Sequence, residues 1–217
     1  MATPTKKTPE ESSRARVLES ALEEFAMYGF AGARIDRIAR RVKLNVRMIY
    51  YHFSSKEGLY QAVLKEMYMR FSAMLVKALD ARDAGDQSLR ALTLYFDLLA
   101  AEPRFADLMI REMLDGGDHL RQLYKENPQF WQIVHEPAFA LLEAAGKAGT
   151  FRQVNARAAI AAISALMLNC FATRRVYDIW MGRDIQVSEW KEVIYDLIMN
   201  GLHPRPPGTE RVLTAEG

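Results

Sequence analysis

Residues 34–56, RIDRIARRVKLNVRMIYYHFSSK, carry apolar side chains in two separate helical registers with a break at residues 43–45. Ile35, Ile38, Ala39 and Val42 recur at one-turn spacing before the break, and Ile49 and Phe53 lie a turn apart after it. Two short amphipathic helices joined by a tight turn make a helix-turn-helix. The segment holds seven basic side chains (Arg34, Arg37, Arg40, Arg41, Lys43, Arg47, Lys56) against one acid, Asp36. Tyr50, Tyr51, His52 and Lys56 lie within seven residues of one another, a set suited to gripping phosphates. The pattern points to a second helix that enters a DNA major groove.

Ser12 or Ser13 is placed to cap a preceding helix, in which Val17, Leu18, Ala21, Leu22, Phe25 and Ala26 share a face and Gly29 is the stop. Asn45 is a good N-cap for the reading helix. Ser54 or Ser55 opens a fourth helix, with Glu57 in its first turn, where a carboxylate suits the helix dipole. Its apolar pattern continues to Leu79 and ties the basic module to the C-terminal part of the chain. Residues 81–86 read as a turn. Helices are expected at 89–101, 105–114 and 120–125, then at 130–145 with a kink or start near Pro137. Residues 156–181 read as one helix that is apolar almost all round, and 188–202 as a last amphipathic one. No stretch alternates with the period of a strand. The expected fold is all-α: an N-terminal three-helix domain at 12–56 and a C-terminal helical domain at 57–203, flanked by a disordered arm (1–11) and tail (204–217).

Charge divides along the same line. Residues 1–70 carry 13 Lys and Arg against 8 Asp and Glu, and the remainder carries 16 against 19. A basic module for a polyanion is thus joined to a mildly acidic body. No apolar run reaches the ~20 residues of a membrane span, and the N-terminal stretch lacks the apolar core of a signal peptide. The single cysteine, Cys170, excludes an internal disulfide and reads as an inert core thiol. These features suit a cytoplasmic protein.

Ala21-x-x-x-Phe25, Gly29-Phe30, Ile35-x-x-Ile38-Ala39 and Ile49-Tyr50-Tyr51-His52-Phe53-Ser54-Ser55-Lys56-Glu57-x-Leu59 resemble the N-terminal domain of TetR/AcrR-type transcriptional regulators, over roughly residues 14–65. The resemblance implies a homodimer with a DNA-binding N-terminal domain and a C-terminal domain that pockets a small molecule. In such proteins the last two long helices pair across the dimer, and the effector shifts the spacing of the reading helices to release DNA; repression is the usual outcome. This chain departs from the pattern at three points. Ala33-Arg34 replaces the hydroxyl residue that opens the second helix, Lys43 replaces the glycine of the turn, and Asn45-Val46-Arg47-Met48 replaces the usual start of the reading helix. A positive φ at Lys43 would be strained.

Arg47 has the fork of donors that fits guanine O6 and N7. Val46 and Met48 suit thymine methyl groups, and Tyr50, Tyr51, His52 and Lys56 suit phosphates. Arg34 is a further candidate and Asn45 caps the helix that carries the set; one of Arg37, Arg40 and Arg41 is expected to reach DNA. In the body, Met67, Phe71, Phe96, Met109, Met113, Trp131, Phe139, Met167 and Phe171 are candidate lining residues of an apolar pocket, with Arg111, Asn169 and Arg174 as polar anchors. For any one of the apolar residues, core is the better reading. The apolar stretch 156–181 and the helix 188–202 are the expected homodimer surface. No cofactor and no metal are expected. Two alternatives compete: a helical DNA-binding protein without an effector, and a helical enzyme, for which His135-Glu136 is the only suggestive pair.

Overall fold

A computed structural model describes residues 9–78 and 84–204, with the backbone alone described at 9–11, 74–78, 84–86, 131 and 134. Among these residues the secondary structure is helical. The first helix, α1 (Pro9–Gly32), starts at a proline whose fixed φ suits a first helical position. Residues 9–11 are therefore helical instead of part of an arm, and Ser12 and Ser13 lie inside the helix instead of capping it. Val17, Leu18, Ala21, Leu22 and Phe25 face inward. Gly29 breaks the run with φ 67°, a conformation only glycine adopts without strain.

Helix α2 (Ile35–Val42) buries Ile35, Ile38, Ala39 and Val42, the inward set read from the sequence. Lys43 ends it in the left-handed region at φ 56°, its N–H donating to the carbonyls of Ala39 and Arg40. Helix α3 (Val46–Phe53) begins at Asn45, whose side chain accepts from the Arg47 N–H at 2.9 Å, and buries Ile49 and Phe53. Of the next two residues, both serines, Ser54 takes a positive φ of 64° at the end of α3. Ser55 is the cap of α4 (Lys56–Ala78), its Oγ accepting from the Gly58 N–H at 3.0 Å. A Cβ at Gly58 would stand 2.1 Å from the Phe53 carbonyl, so the corner between α3 and α4 requires glycine. Leu79 lies outside the described residues.

The body consists of α5 (Ala84–Ala101), α6 (Pro103–Leu114), α7 (Asp118–Glu126), α8 (Gln129–Val134), α9 (Glu136–Lys147), α10 (Ala156–Ala172), α11 (Arg174–Met181) and α12 (Val187–Leu202). Helix α5 begins at Ala84, inside the expected turn. The expected helix at 130–145 is two helices that meet at His135, just before Pro137. The expected single helix at 156–181 is also two, bent by 68°. At the bend Thr173 leaves helical geometry (φ −105°, ψ 7°), and its hydroxyl bonds back to the Asn169 carbonyl at 2.5 Å. No single helix among the described residues is long and apolar enough to cross a membrane.

Helix α6 is the bridge of the molecule. It packs on α1 of the N-terminal module on one side and on α10 of the body on the other. The buried apolar cluster accordingly runs without interruption from Val17 through Leu59, Val63, Leu108 and Met167 to Leu202. Helices α10 and α12 are buried on one side only. Ala161, Ala162, Ala165, Leu166, Val193 and Leu197 face outward in the single chain.

Candidate nucleic-acid interface and cavity

Ile49 and Phe53 bolt α3 to the module, which leaves the intervening side chains outside. Arg47 is exposed, as are Met48, Tyr50 and Tyr51, the last at 74 %. Val46 is half-buried and packs against the core, so its methyl groups are only partly presented. Asn45 is exposed, and its carbonyl oxygen is committed to the cap. His52 is half-buried with Nε2 enclosed and without a hydrogen-bond partner among the described residues. Lys56 bends inward in the free protein: Nζ donates to the Ala31 carbonyl at 3.3 Å and sits 4.9 Å from the centroid of Phe30.

The arginines of α2 divide. Glu24 of α1 is fully buried, and its carboxylate accepts from Arg37 Nε at 2.6 Å and from the Arg34 N–H at 3.0 Å. Arg41 Nη2 reaches the other oxygen at 3.5 Å and Nη1 donates to the Ser20 carbonyl at 3.0 Å. Burial pushes the Glu24 carboxyl up, but these hydrogen bonds and the two guanidinium charges outweigh it, and its pKa lies below the ordinary value. Arg37 and Arg41 thus hold α2 against α1. Arg34 keeps an exposed side chain at the start of α2, and Arg40 is exposed with Nε 3.4 Å from the Asp36 carbonyl. Lys43, Arg40 and Arg47 remain on the outer surface with the tyrosines.

The sequence reading passes over Glu24, although the residue carries a signal. It stands one turn from Ala21 on the inward stripe of α1, where an acid needs a buried partner. Glu112 stands likewise in register with Phe105, Leu108 and Met109 on α6. It accepts from the Tyr60 hydroxyl at 2.9 Å and the Leu120 N–H at 2.9 Å, and lies 3.2 Å from His119 Nδ1. Phe30, 4.4 Å from the His119 ring, roofs this cluster beside Lys56. It joins α4, α6 and α7.

Between α4, α5, α9, α10 and α12 lies an apolar cavity that is partly open to solvent. Phe71, Leu89, Ala91, Leu92, Tyr95, Ala138, Leu141, Leu142, Phe151, Ile160, Ile163, Ile198, Met199 and Leu202 line it, with Ser88 and Ser164. Of the candidate lining residues whose side chains are described, Phe71 alone is brought here. Met67, Phe96, Met109 and Met167 are at most 2 % exposed and serve as core. Phe139 is buried under the Arg157 guanidinium, 4.7 Å from its ring centroid. Phe171 packs on Phe96 at 5.1 Å, and Met113 is exposed at the end of α6. The side chain of Trp131 lies outside the described residues.

The expected anchors are elsewhere too. Arg111 grips the carbonyls of Ala26 at 2.8 Å and Met27 at 3.1 Å, and Asn169 is exposed and donates to the Tyr177 hydroxyl at 3.3 Å. Arg174, half-buried at the start of α11, is not among the lining residues. Side-chain type and period cannot tell a cavity wall from a core, because both are apolar faces of the same helices.

A small three-helix module that displays a basic, tyrosine-bearing helix, fused through α1, α4 and α6 to an all-helical body, defines a helix-turn-helix protein with a second, cavity-bearing domain. Residues 17–63 match the family described as bacterial regulatory proteins, tetR family, and residues 87–200 match the tetracyclin repressor-like C-terminal domain. The chain belongs to the TetR family. It is 38% identical over 112 residues to the HTH-type transcriptional repressor NicS of Pseudomonas putida, covering 51% of this chain and 52% of that one. To the HTH-type transcriptional repressor SCO4008 of Streptomyces coelicolor it is 34% identical over 107 residues, 49% of this chain and 53% of that one. The chain thus spans about half the length of these curated relatives. The fatty acid degradation regulator FadR from Bacillus halodurans shares the fold, with a TM-score of 0.72 over 93% of this chain and 100% of that one at 20% identity.

Proposed function

We propose that the protein is a sequence-specific DNA-binding transcriptional regulator of the cytoplasm that acts as a homodimer and represses until a small, largely apolar effector releases it. The observation that carries this reading is the display of Arg47, Met48, Tyr50 and Tyr51 on a helix fixed from behind by Ile49 and Phe53 and capped by Asn45. Arg47 reads a guanine, Met48 and the exposed part of Val46 pack on thymine methyls, and Tyr50, Tyr51, His52 and Arg34 hold phosphates. Lys56 joins the phosphate grip once it exchanges the Ala31 carbonyl for DNA. The boundary at residues 56 and 57 is one of role, since α4 starts in the DNA-reading module and continues into the body.

The outward apolar residues of α10 and α12 support the homodimer, because helices that leave Leu166, Val193 and Leu197 in water gain from a partner. A two-fold pair also places two reading helices on two half-sites. The relatives named as transcriptional repressors support repression. The enzyme alternative rests on His135 and Glu136, and both are engaged in the fold: the Tyr124 hydroxyl meets His135 Nε2 at 2.5 Å, and Glu136 pairs with Arg157 at 3.2 Å. The test is selection of bound fragments from the source genome with the purified protein. Enrichment of a two-fold symmetric site beside a small set of genes supports the reading, and uniform recovery of all fragments contradicts it.

A further inference from the structure

The cavity's chemistry narrows what can occupy it. Its walls are hydrocarbon from Leu89, Leu92, Leu142, Phe151, Ile160 and Ile163, and no charged side chain is among its described lining residues. The polar atoms it offers are hydroxyls, from Ser88, Tyr95 and Ser164, with the Tyr95 phenol already bonded to Ser164. Burial holds that phenol neutral through the ordinary pH range, so it supplies a hydrogen bond and no charge. An ion brought here would lose its hydration and find no counter-charge, whereas a hydrocarbon surface loses nothing.

We propose that the cavity selects a neutral, predominantly hydrocarbon or aromatic molecule with at most one hydroxyl or carbonyl group, and rejects the anionic counterpart of the same skeleton. This rests on the reading of the cavity as the effector site. The polar group pairs with the Tyr95–Ser164 hydroxyls and the skeleton fills the leucine and isoleucine walls.

Two fluorescent probes with the same skeleton test it. N-phenyl-1-naphthylamine is neutral, and 8-anilinonaphthalene-1-sulfonate adds one fixed negative charge. Both are titrated against the full-length protein and against Ala91→Leu, which fills the cavity from α5; Ala138→Leu fills it from α9 should the first variant fail to fold. The expected result is binding of the neutral probe that the filling variant weakens at least about tenfold, with the sulfonate at least about tenfold weaker on the native protein. Equal binding of the two probes, both weakened by the filled cavity, overturns the charge selection and leaves the effector site standing. Absence of binding that depends on Ala91 or Ala138, for both probes, overturns the effector site and the selection together.

Discussion

The guanidinium of Arg111 on α6 donates through Nε to the carbonyl of Ala26 on α1 at 2.8 Å, three residues before the Gly29 break. Its Nη2 takes the next carbonyl, Met27, at 3.1 Å. Carbonyls near a helix break lack in-helix partners, and a cation there also meets the negative end of the helix dipole. Arg111 therefore ties the body to the DNA-reading module, on the helix that also packs against α10. Arg104 at the other end of α6 adds ion pairs to Glu19 at 2.5 Å and Glu23 at 3.2 Å.

Replacing Arg111 by alanine should lower stability by about 1.5–3 kcal/mol, the range for hydrogen bonds that involve a charged group. The same variant should blunt release of DNA by effector more than it weakens DNA binding itself. Urea denaturation and paired binding curves with and without effector would measure both. An unchanged effector response would remove α6 from the path between the two domains.

Lys43 holds a left-handed conformation that costs a residue with a Cβ about 1–2 kcal/mol. Glycine takes that conformation without strain, though it gains freedom in the unfolded chain. Lys43→Gly should raise the thermal midpoint, by a gain of up to about 1 kcal/mol, with no change in which operator is preferred. A lower midpoint would mean that the lysine side chain makes contacts worth more than the strain.

The helix-turn-helix was legible because its determinants are local. Asn45 marks a start through its side-chain acceptor and Gly29 a break through its backbone freedom, and Ile35, Ile38, Ile49 and Phe53 define one core by spacing alone. The cap of α4 was legible only to within one residue, since Ser54 and Ser55 are chemically alike and the corner geometry chooses between them. The bend at Thr173 was not legible: no Gly or Pro marks it, and the hydroxyl back-bond that accompanies it is open to many threonines that bend nothing. The cavity was the least legible part. Met67 and Phe71 stand four residues apart on one face of α4, and only packing against α5 and α9 decides that the first is core and the second lines a space.

Acid should loosen the DNA-reading module through Glu24. Its pKa is below the ordinary 4.5 when folded, so its contribution is complete above that value and is lost as pH falls through the lowered one. Glu24→Gln should cost about 1–3 kcal/mol at neutral pH and flatten the loss of stability with acid. Denaturation curves between neutral and acid pH for the two proteins measure this; parallel pH profiles would assign the acid sensitivity to other carboxylates.

The outward face of α12 predicts the state of assembly. Val193 and Leu197 are 55% and 58% exposed in the single chain and lie one turn apart. Light scattering at micromolar concentration should give a dimer for the native chain and a monomer for Leu197→Asp, since a charge inside an apolar interface is costly. A monomeric native chain would count against the paired reading helices.

Arg47 bears most directly on the central claim, that α3 reads DNA sequence. With the selected operator and an unrelated duplex of equal length, fluorescence anisotropy at fixed salt should show Arg47→Ala weakened on the operator by about 1–3 kcal/mol and nearly unchanged on the unrelated DNA. Equal loss on both duplexes would place Arg47 on the phosphates, and no loss on either would contradict α3 as the reading helix.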